Sequence, residues 1–324
     1  MKKNADIKLG YECNDHCTHC VVEELRDLAI KQKNRRTTQD YKDEVLKSKN
    51  AGFKSITITG GEPTIRPDFL EIVKFVYQNN LSIELQSNGR NFKDKSLAQD
   101  SSKYINTFII ALHGPNEKIH DKITQTKGSF EETIDGIKNL VKFNAKITGK
   151  IVISKINYKY ILETLKLYEK LGVKVVVVSF PHSSGAKDYI KKIAPYYTQI
   201  KSQIQDSLEY YSDINKLLLI LEEILPCALD KEYPLIHFYE FFENLRISQL
   251  NTLSDKTRNW RILRKAIKRK GEICPECLLN NFCDGYWKEY INERGFQEFK
   301  PIKKLDKKIF FKHDIKKIEN YFEK

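Results

Sequence analysis

From Asp6 to about Phe180, short β-branched or alternating apolar runs take turns with longer stretches carrying an apolar residue every third or fourth position. Ile7 and Leu9 alternate with polar neighbours, and Ser55-Ile56-Thr57-Ile58-Thr59 stops at two glycines. Ile83–Ser87, Thr107–Leu112, Lys150–Ser154 and Val173–Val178 read as further strands. Between them, Thr37-Thr38-Gln39-Asp40 caps a helix running to Asn50, with Gly52 beyond its end. Pro67-Asp68 opens a helix with Phe69, Ile72, Val73 and Val76 on one face. Helical spacing returns near Phe130 to Phe143 and from Lys159 to Leu171, where Gly172 ends it. Six β/α units in series predict an α/β fold, a parallel sheet with helices on its outer face. Right-handed crossovers curl such a sheet into a partial (β/α)6 barrel, with functional groups at the C-terminal ends of the strands.

The remainder is less regular. Residues 187–211 predict a linker helix with Pro195 near its start, and Lys216–Ile224 fits either a buried strand or a helix segment. Asp255–Lys270 reads as a basic helix, and the last twenty residues as a Lys-rich tail with helical spacing at Ile315, Ile318 and Phe322. The expected division is a barrel over 1–185, a linker helix region over 186–226, a small α+β extension over 227–300 and a basic tail over 301–324.

Length and composition add bounds. At 324 residues, 40% hydrophobic and 31% charged, the chain suits one large globular domain with an appendage. Its longest apolar run, Leu217–Leu221, is far too short for a membrane span, and no signal-peptide core follows Met1, so a cytoplasmic location is expected. There thiols stay reduced, and cysteine spacing argues for metal before disulfide. The net charge of +13 rests on 45 Lys and only 11 Arg. Arg is the better reader of phosphates and bases, so the excess reads as solvated surface, and no specific nucleic acid is expected. Attraction to an acidic peptide stays open.

Cys13, Cys17 and Cys20 stand in the order C-x3-C-x2-C, and Gly60-Gly61-Glu62-Pro63 ends the apolar run that follows. Three thiolates hold three irons of a four-iron cube and leave the fourth open to an amino-acid ligand. Zinc would need a fourth ligand, for which His16 and His19 are available. Zinc would not explain the glycine block.

The segment Glu12–Cys20, with His19 before the third cysteine, resembles the cluster loop of the radical S-adenosylmethionine (radical SAM) superfamily. Gly60-Gly61-Glu62-Pro63 resembles that family's methionine-binding turn. The resemblance implies a partial (β/α)6 TIM-like barrel, a [4Fe-4S] cluster on Cys13, Cys17 and Cys20, and S-adenosyl-L-methionine (SAM) as cofactor. It implies that Gly60 and Gly61 admit the methionine amine, that Glu62 accepts a hydrogen bond from it, and that Ser87 and Asn88 meet ribose and carboxylate. Lys122 is the nearest basic residue for the SAM carboxylate, and Ala111 stands where the family commonly has Ser. Read alone, Gly60-Gly61 and Asn88-Gly89 are tight turns. His113 and His120 read as satisfied loop histidines, and Asn157 and Phe180 as either adenine-pocket lining or core.

Cys274, Cys277 and Cys283, followed by Asp284-Gly285-Tyr286-Trp287, resemble the auxiliary-cluster region of the SPASM/twitch branch of that family. Cys227 supplies the fourth ligand in that resemblance, so three plus four cysteines exhaust the set and imply a second, auxiliary [4Fe-4S] cluster. A structural zinc site is the alternative for the same four thiols.

The resemblance implies an enzyme that cleaves SAM to a 5′-deoxyadenosyl radical and abstracts hydrogen from a peptide or protein substrate, oxidising or crosslinking side chains. An electron donor such as flavodoxin or ferredoxin is implied with it. The first strand begins near Asp6, so a leader peptide is expected to need a separate binding protein. The alternatives are a radical SAM enzyme acting on a small molecule or cofactor precursor, and a zinc-bearing nucleic-acid-binding protein without catalysis. The related molybdenum-cofactor enzyme carries a Gly- and Arg-rich tail, which this sequence is expected to lack. No residue stands out as the catalytic acid or base.

Overall fold

The computed structural model describes residues 4–23, 25–26, 36–182, 188–240, 250–252, 258–259, 265–304 and 306. Seven parallel strands lie side by side in chain order: β1 (Asn4–Lys8), β2 (Ser55–Thr59), β3 (Ser82–Ser87), β4 (Thr107–Ala111), β5 (Ile147–Val152), β6 (Val175–Ser179) and β7 (Leu218–Glu222). Each neighbours the next through a helical crossover, the open barrel expected for β/α units in series. The Lys216–Ile224 ambiguity resolves as β7, which pairs with β6 from Val175↔Leu218 to Ser179↔Glu222 and extends the barrel into the stretch read as a linker.

Helices α1 (Thr38–Asn50), α2 (Phe69–Gln78), α3 (Lys95–Ser102), α4 (Glu117–Thr124), α5 (Ser129–Lys142) and α6 (Ile161–Lys170) complete the barrel half. Helix α1 opens on the expected cap: Thr37 and Asp40 satisfy each other's backbone N–H groups in a capping box. Helix α2 buries Phe69, Ile72, Val73 and Val76, the face its spacing announces. Helices α3 and α4 are short and were not read from the sequence, although Ile119 and Ile123 stand four apart on the buried face of α4.

Two expectations shift. Strand β5 starts at Ile147 rather than Lys150, because Gly149 is tolerated where the Tyr168 ring fills the space of its missing side chain. It ends at Val152, where Asn157 Oδ1 takes the Ser154 N–H at 2.7 Å and turns the chain. The linker helix is two helices, α7 (Tyr189–Ile193) and α8 (Tyr197–Tyr210), broken at Ala194-Pro195. Arg294 closes the break by donating to the carbonyls of Ile190, Ala194 and Pro195.

Past β7, β8 (Leu250–Thr252) adds in parallel to β1, and β9 (Arg258–Asn259) pairs antiparallel with β8. A separate antiparallel pair, β10 (Lys268–Arg269) and β11 (Tyr286–Trp287), precedes α9 (Lys288–Arg294). Of the basic helix read over Asp255–Lys270, residues 265–267 are helical, whereas Arg258–Asn259 and Lys268–Arg269 are strands whose backbone bonds go to neighbouring strands. Apart from Asp306, the Lys-rich tail from Leu305 lies outside the described residues. Among the described residues no helix is long and apolar enough to cross a membrane.

Strand alternation separates two faces. Ala5, Ile7, Ile56, Ile58, Ile83, Leu85, Phe108, Ile110, Val176, Val178, Leu219 and Leu221 form the core under the helices. The opposite set shares one side of the register: Thr57↔Glu84, Gln86↔Ile109, Ala111↔Lys150, Lys150↔Val177 and Ser179↔Glu222. That inner face carries the polar and charged groups Thr57, Glu84, Gln86, Lys150, Ser179 and Glu222.

Candidate functional site

The cysteine loop leaves the C-terminal end of β1 and is zipped onto the turn that follows β2. Leu9 N–H donates to Thr59 O at 2.9 Å, Gly61 N–H to Gly10 O at 3.0 Å and Glu62 N–H to Glu12 O at 2.8 Å. This contact is close enough to dictate the two glycines. A Cβ on Gly60, whose φ is +133°, would lie 2.2 Å from Gly10 O, and one on Gly61 would lie 2.1 Å from Glu12 O. The glycines therefore admit the cysteine loop's own backbone, a reason independent of any ligand.

Glu62 is 2% exposed and works as a hub. Its Oε1 accepts from Thr64 N–H, Thr64 Oγ1 and Ser87 Oγ, and its Oε2 accepts from Asn88 N–H at 2.7 Å. Burial pushes its carboxyl up, and these donors pull it back. Ser87 Oγ is committed on both sides, donating to Glu62 and accepting from Gly89 N–H at 2.9 Å. Asn88 reaches across to the cysteine loop, its Nδ2 donating to Asn14 Oδ1 at 2.7 Å and Asp15 Oδ2 at 3.0 Å.

Gly60, Gly61, Glu62, Ser87 and Asn88 thus meet Cys13–Cys20 in one network at the strand ends. Lys122 does not join it. That side chain is exposed on α4 and, among the described residues, bonds none of them. Its helix does brace the loop, since His16 N–H donates to Thr124 O at 2.9 Å and Thr18 N–H to Ile123 O at 2.8 Å.

Three residues that sequence reasoning missed hold this loop. Asp15, 2% exposed, pairs with Arg90 Nη1 at 2.7 Å, and Arg90 Nε also holds Glu132 Oε2 at 2.7 Å. Arg26 donates to Asp15 O at 3.0 Å and to Cys20 Sγ at 3.5 Å. Arg90 directly follows Asn88-Gly89 at a strand end, which was a usable signal; nothing in the sequence marks Arg26.

Behind the loop stand His19, His113 and His120. His19 meets His113 edge-on at 4.5 Å, and His113 stacks on His120 at 5.9 Å. Burial lowers all three, His19 and His120 to about 4, so they are neutral imidazoles. His120 Nδ1 accepts from His113 N–H at 3.0 Å and His113 Nδ1 from Val152 N–H at 3.3 Å, but the buried His120 Nε2 has no hydrogen-bond partner among the described residues, so His120 departs from the satisfied reading. Asn157 bonds His113 O and Val152 O, and Phe180 stacks on Tyr197 at 4.1 Å. Both are packed core.

The three N-terminal thiols are half-buried and close enough that Cys13 and Cys20 add to the rise that burial imposes on Cys17. Burial lifts Cys13 to about 11. Asp15 N–H points at Cys13 Sγ at 3.4 Å, so Cys13 and Cys20 each face a donor suited to a thiolate. A donor set of three thiols with N–H groups aimed at sulfur fits an iron–sulfur cluster.

Cys227 follows β7, and Cys274, Cys277 and Cys283 lie around β10 and β11. Burial raises Cys227 to about 12, with Cys283, Cys277 and Cys274 adding to the rise, so the fold gathers all four. Gly271 N–H faces Cys274 Sγ at 3.3 Å, Gly285 N–H faces Cys283 Sγ at 3.2 Å, and Tyr286 Oη lies 3.3 Å from Cys227 Sγ. The fully buried Lys268 ammonium lies 2.8 Å from Glu223 Oε2 and lowers Cys283, while burial lifts that thiol to about 12. Among the described residues, no three His, Cys, Asp or Glu side chains are gathered tightly enough for a single metal ion.

The inner face of β5 to β7 carries a further polar group. There Lys150 Nζ and Ser179 Oγ both donate to Glu222 Oε2. β5 and β6 were read as strands and β7 was left open between strand and helix, and nothing in the sequence placed these three residues on one side.

A family model for the Radical SAM superfamily matches residues 7–168, half of the chain. The chain is 28% identical over 211 residues to a probable GTP 3′,8-cyclase of Thermococcus kodakarensis, covering 64% of this chain and 65% of that protein. It is 26% identical over 205 residues to mycofactocin maturase MftC of Mycolicibacterium smegmatis, covering 62% and 50%. It thus spans between half and two thirds of these relatives. The solved structure of native anSMEcpe with bound AdoMet and Kp18Cys peptide matches with a TM-score of 0.63 at 13% identity, over 98% of this chain and 99% of that one. That is a likeness of fold.

Proposed function

The chain belongs to the Radical SAM superfamily, and we propose that it cleaves S-adenosylmethionine reductively and takes a hydrogen atom from a peptide or protein side chain. Membership implies a [4Fe-4S] cluster and SAM, which together supply a 5′-deoxyadenosyl radical when bound. In this reading Cys13, Cys17 and Cys20 hold the cluster, and the Gly60–Pro63 turn fixes their loop. Glu62 Oε2 accepts one protein hydrogen bond, which leaves a lone pair for the ammonium of SAM. Ser87 and Asn88 set the wall for ribose and carboxylate, and Lys122 would meet the carboxylate from α4.

The observation that carries the maturase reading is the second group of thiols, Cys227, Cys274, Cys277 and Cys283, gathered just beyond β7. It would hold a closed auxiliary [4Fe-4S] cluster able to take up the second electron of a side-chain oxidation. The polar inner face, with Lys150, Ser179 and Glu222, supplies groups to hold and orient a substrate backbone or side chain. MftC is named as a maturase, and anSMEcpe was solved with a peptide; both support a peptide substrate. The electron donor would be flavodoxin or ferredoxin.

A small-molecule substrate is the second reading, favoured by the alignment to a probable GTP 3′,8-cyclase. The test is deuterium transfer. Reconstituted protein is given SAM, a one-electron reductant and either a deuterated short peptide encoded beside its gene or deuterated GTP. Label in 5′-deoxyadenosine from the peptide supports the maturase; label from GTP alone refutes it.

A further inference from the structure

We propose that the Tyr286 hydroxyl donates a hydrogen bond to the Cys227 sulfur and thereby raises the reduction potential of the metal group held there. The proposal rests on the reading of Cys227, Cys274, Cys277 and Cys283 as ligands of an auxiliary iron–sulfur cluster.

Tyr286 is 3% exposed and its hydroxyl lies 3.3 Å from Cys227 Sγ. Among the described residues that hydroxyl bonds nothing else. Its place is fixed from several sides. Arg269 pairs with Tyr286 across β10 and β11. Gly285 precedes it at φ +86°, where a Cβ would lie 2.3 Å from Arg269 O. The ring stacks on Phe299 at 3.9 Å and meets Tyr197 edge-on at 5.1 Å.

The direction of the bond follows from chemistry. A cysteine that ligates metal does so as thiolate, and a thiolate sulfur only accepts. Tyr286 must then be the donor. The sulfurs of Cys274 and Cys283 receive backbone N–H groups, from Gly271 and Gly285. Cys227 receives a side chain instead, so its donor is the one that substitution can remove. Reduction adds negative charge to the sulfurs, and a donor stabilises the reduced form more than the oxidised one. A hydrogen bond to sulfur therefore raises the potential.

The test uses the full chain, reconstituted anaerobically, in an EPR-monitored redox titration of wild type, Tyr286→Phe and Tyr290→Phe. Signals are assigned with a variant lacking the C-terminal thiols. Tyr286→Phe keeps the ring and its stacking and removes only the donor. The expected result is a downward shift of the C-terminal midpoint, with the N-terminal midpoint unmoved. Tyr290→Phe removes a neighbouring hydroxyl that bonds Glu298 and the Tyr197 N–H rather than a thiol, and should move neither. An unmoved C-terminal midpoint in Tyr286→Phe overturns the proposal. Wild type holding about four irons rather than eight overturns it through the cluster reading, and iron analysis tells the two failures apart. Should Tyr286→Phe fail to load its second cluster, 3-fluorotyrosine at 286, a stronger donor, must raise the midpoint; no rise overturns the proposal.

Discussion

Replacing Gly61 by Ala tests whether the turn after β2 builds the cysteine loop. The added methyl would lie 2.1 Å from Glu12 O and 2.5 Å from Tyr11 O, both backbone atoms that cannot swing aside. Restoring contact distance requires the loop to retreat by on the order of 1 Å. That retreat breaks the bonds from Gly61 N–H to Gly10 O and from Glu62 N–H to Glu12 O. Two net bonds at about 1 kcal/mol each, with strain of similar size, give a loss of about 2–4 kcal/mol. Because Cys13 follows Glu12 directly, iron loading should suffer as well. The assay is urea unfolding of the metal-free protein, paired with iron and sulfide analysis after anaerobic reconstitution. Gly52→Ala is the control: its φ is +82° but nothing lies within 4 Å of the new Cβ. It should cost about 1 kcal/mol of backbone strain and leave iron unchanged. If Gly61→Ala unfolds within about 0.5 kcal/mol of wild type and loads iron normally, the steric argument is wrong.

Arg90→Ala leaves the buried Asp15 carboxylate without its cation, and should cost about 3–5 kcal/mol in urea unfolding, partly recovered by adding Asp15→Asn. Lys268→Met removes the buried cation 2.8 Å from Glu223 Oε2 and should lower stability in urea unfolding, with Glu223→Gln in the same chain restoring part of it. Burial lowers His120 to about 4, so folding favours its neutral form. Its stabilisation is complete above the unfolded pKa near 6.5 and is lost as pH falls toward 4. At pH 5 the loss is about 2 kcal/mol, and His120→Asn, which retains an acceptor for His113 N–H, should flatten the stability–pH curve there. A Cys274/Cys277/Cys283→Ala variant should fall from about eight irons per chain to about four. Unchanged iron, with zinc lost instead, would make the C-terminal site structural.

The sequence by itself carried the order of the elements and the grouping of the seven cysteines. Period-2 and period-3.6 patterns are local properties of a few residues, and so β2, α1 and α2 could be read directly. The cysteine spacings are equally local. Where local signals were balanced or masked, tertiary contacts decided. Leu218–Glu222 became a strand because β6 offered it a free edge, and β5 began early because Tyr168 packs into the space at Gly149. Pro195 split the linker helix because Arg294, 99 residues away, could satisfy the carbonyls at the break.

The site divides along the same line. Gly60, Gly61 and Glu62 were visible as a motif, yet their reason lay in the backbone of residues 10–12 and in the loop after β3. Arg26, Lys150, Glu222 and Lys268 carried no pattern of their own. A charged residue announces nothing about its partner until the fold sets the two side by side. Alternation tells which strand residues share a face; only the register between strands, and the burial that the closed core imposes, decides which charges meet there and which thiols gather with them.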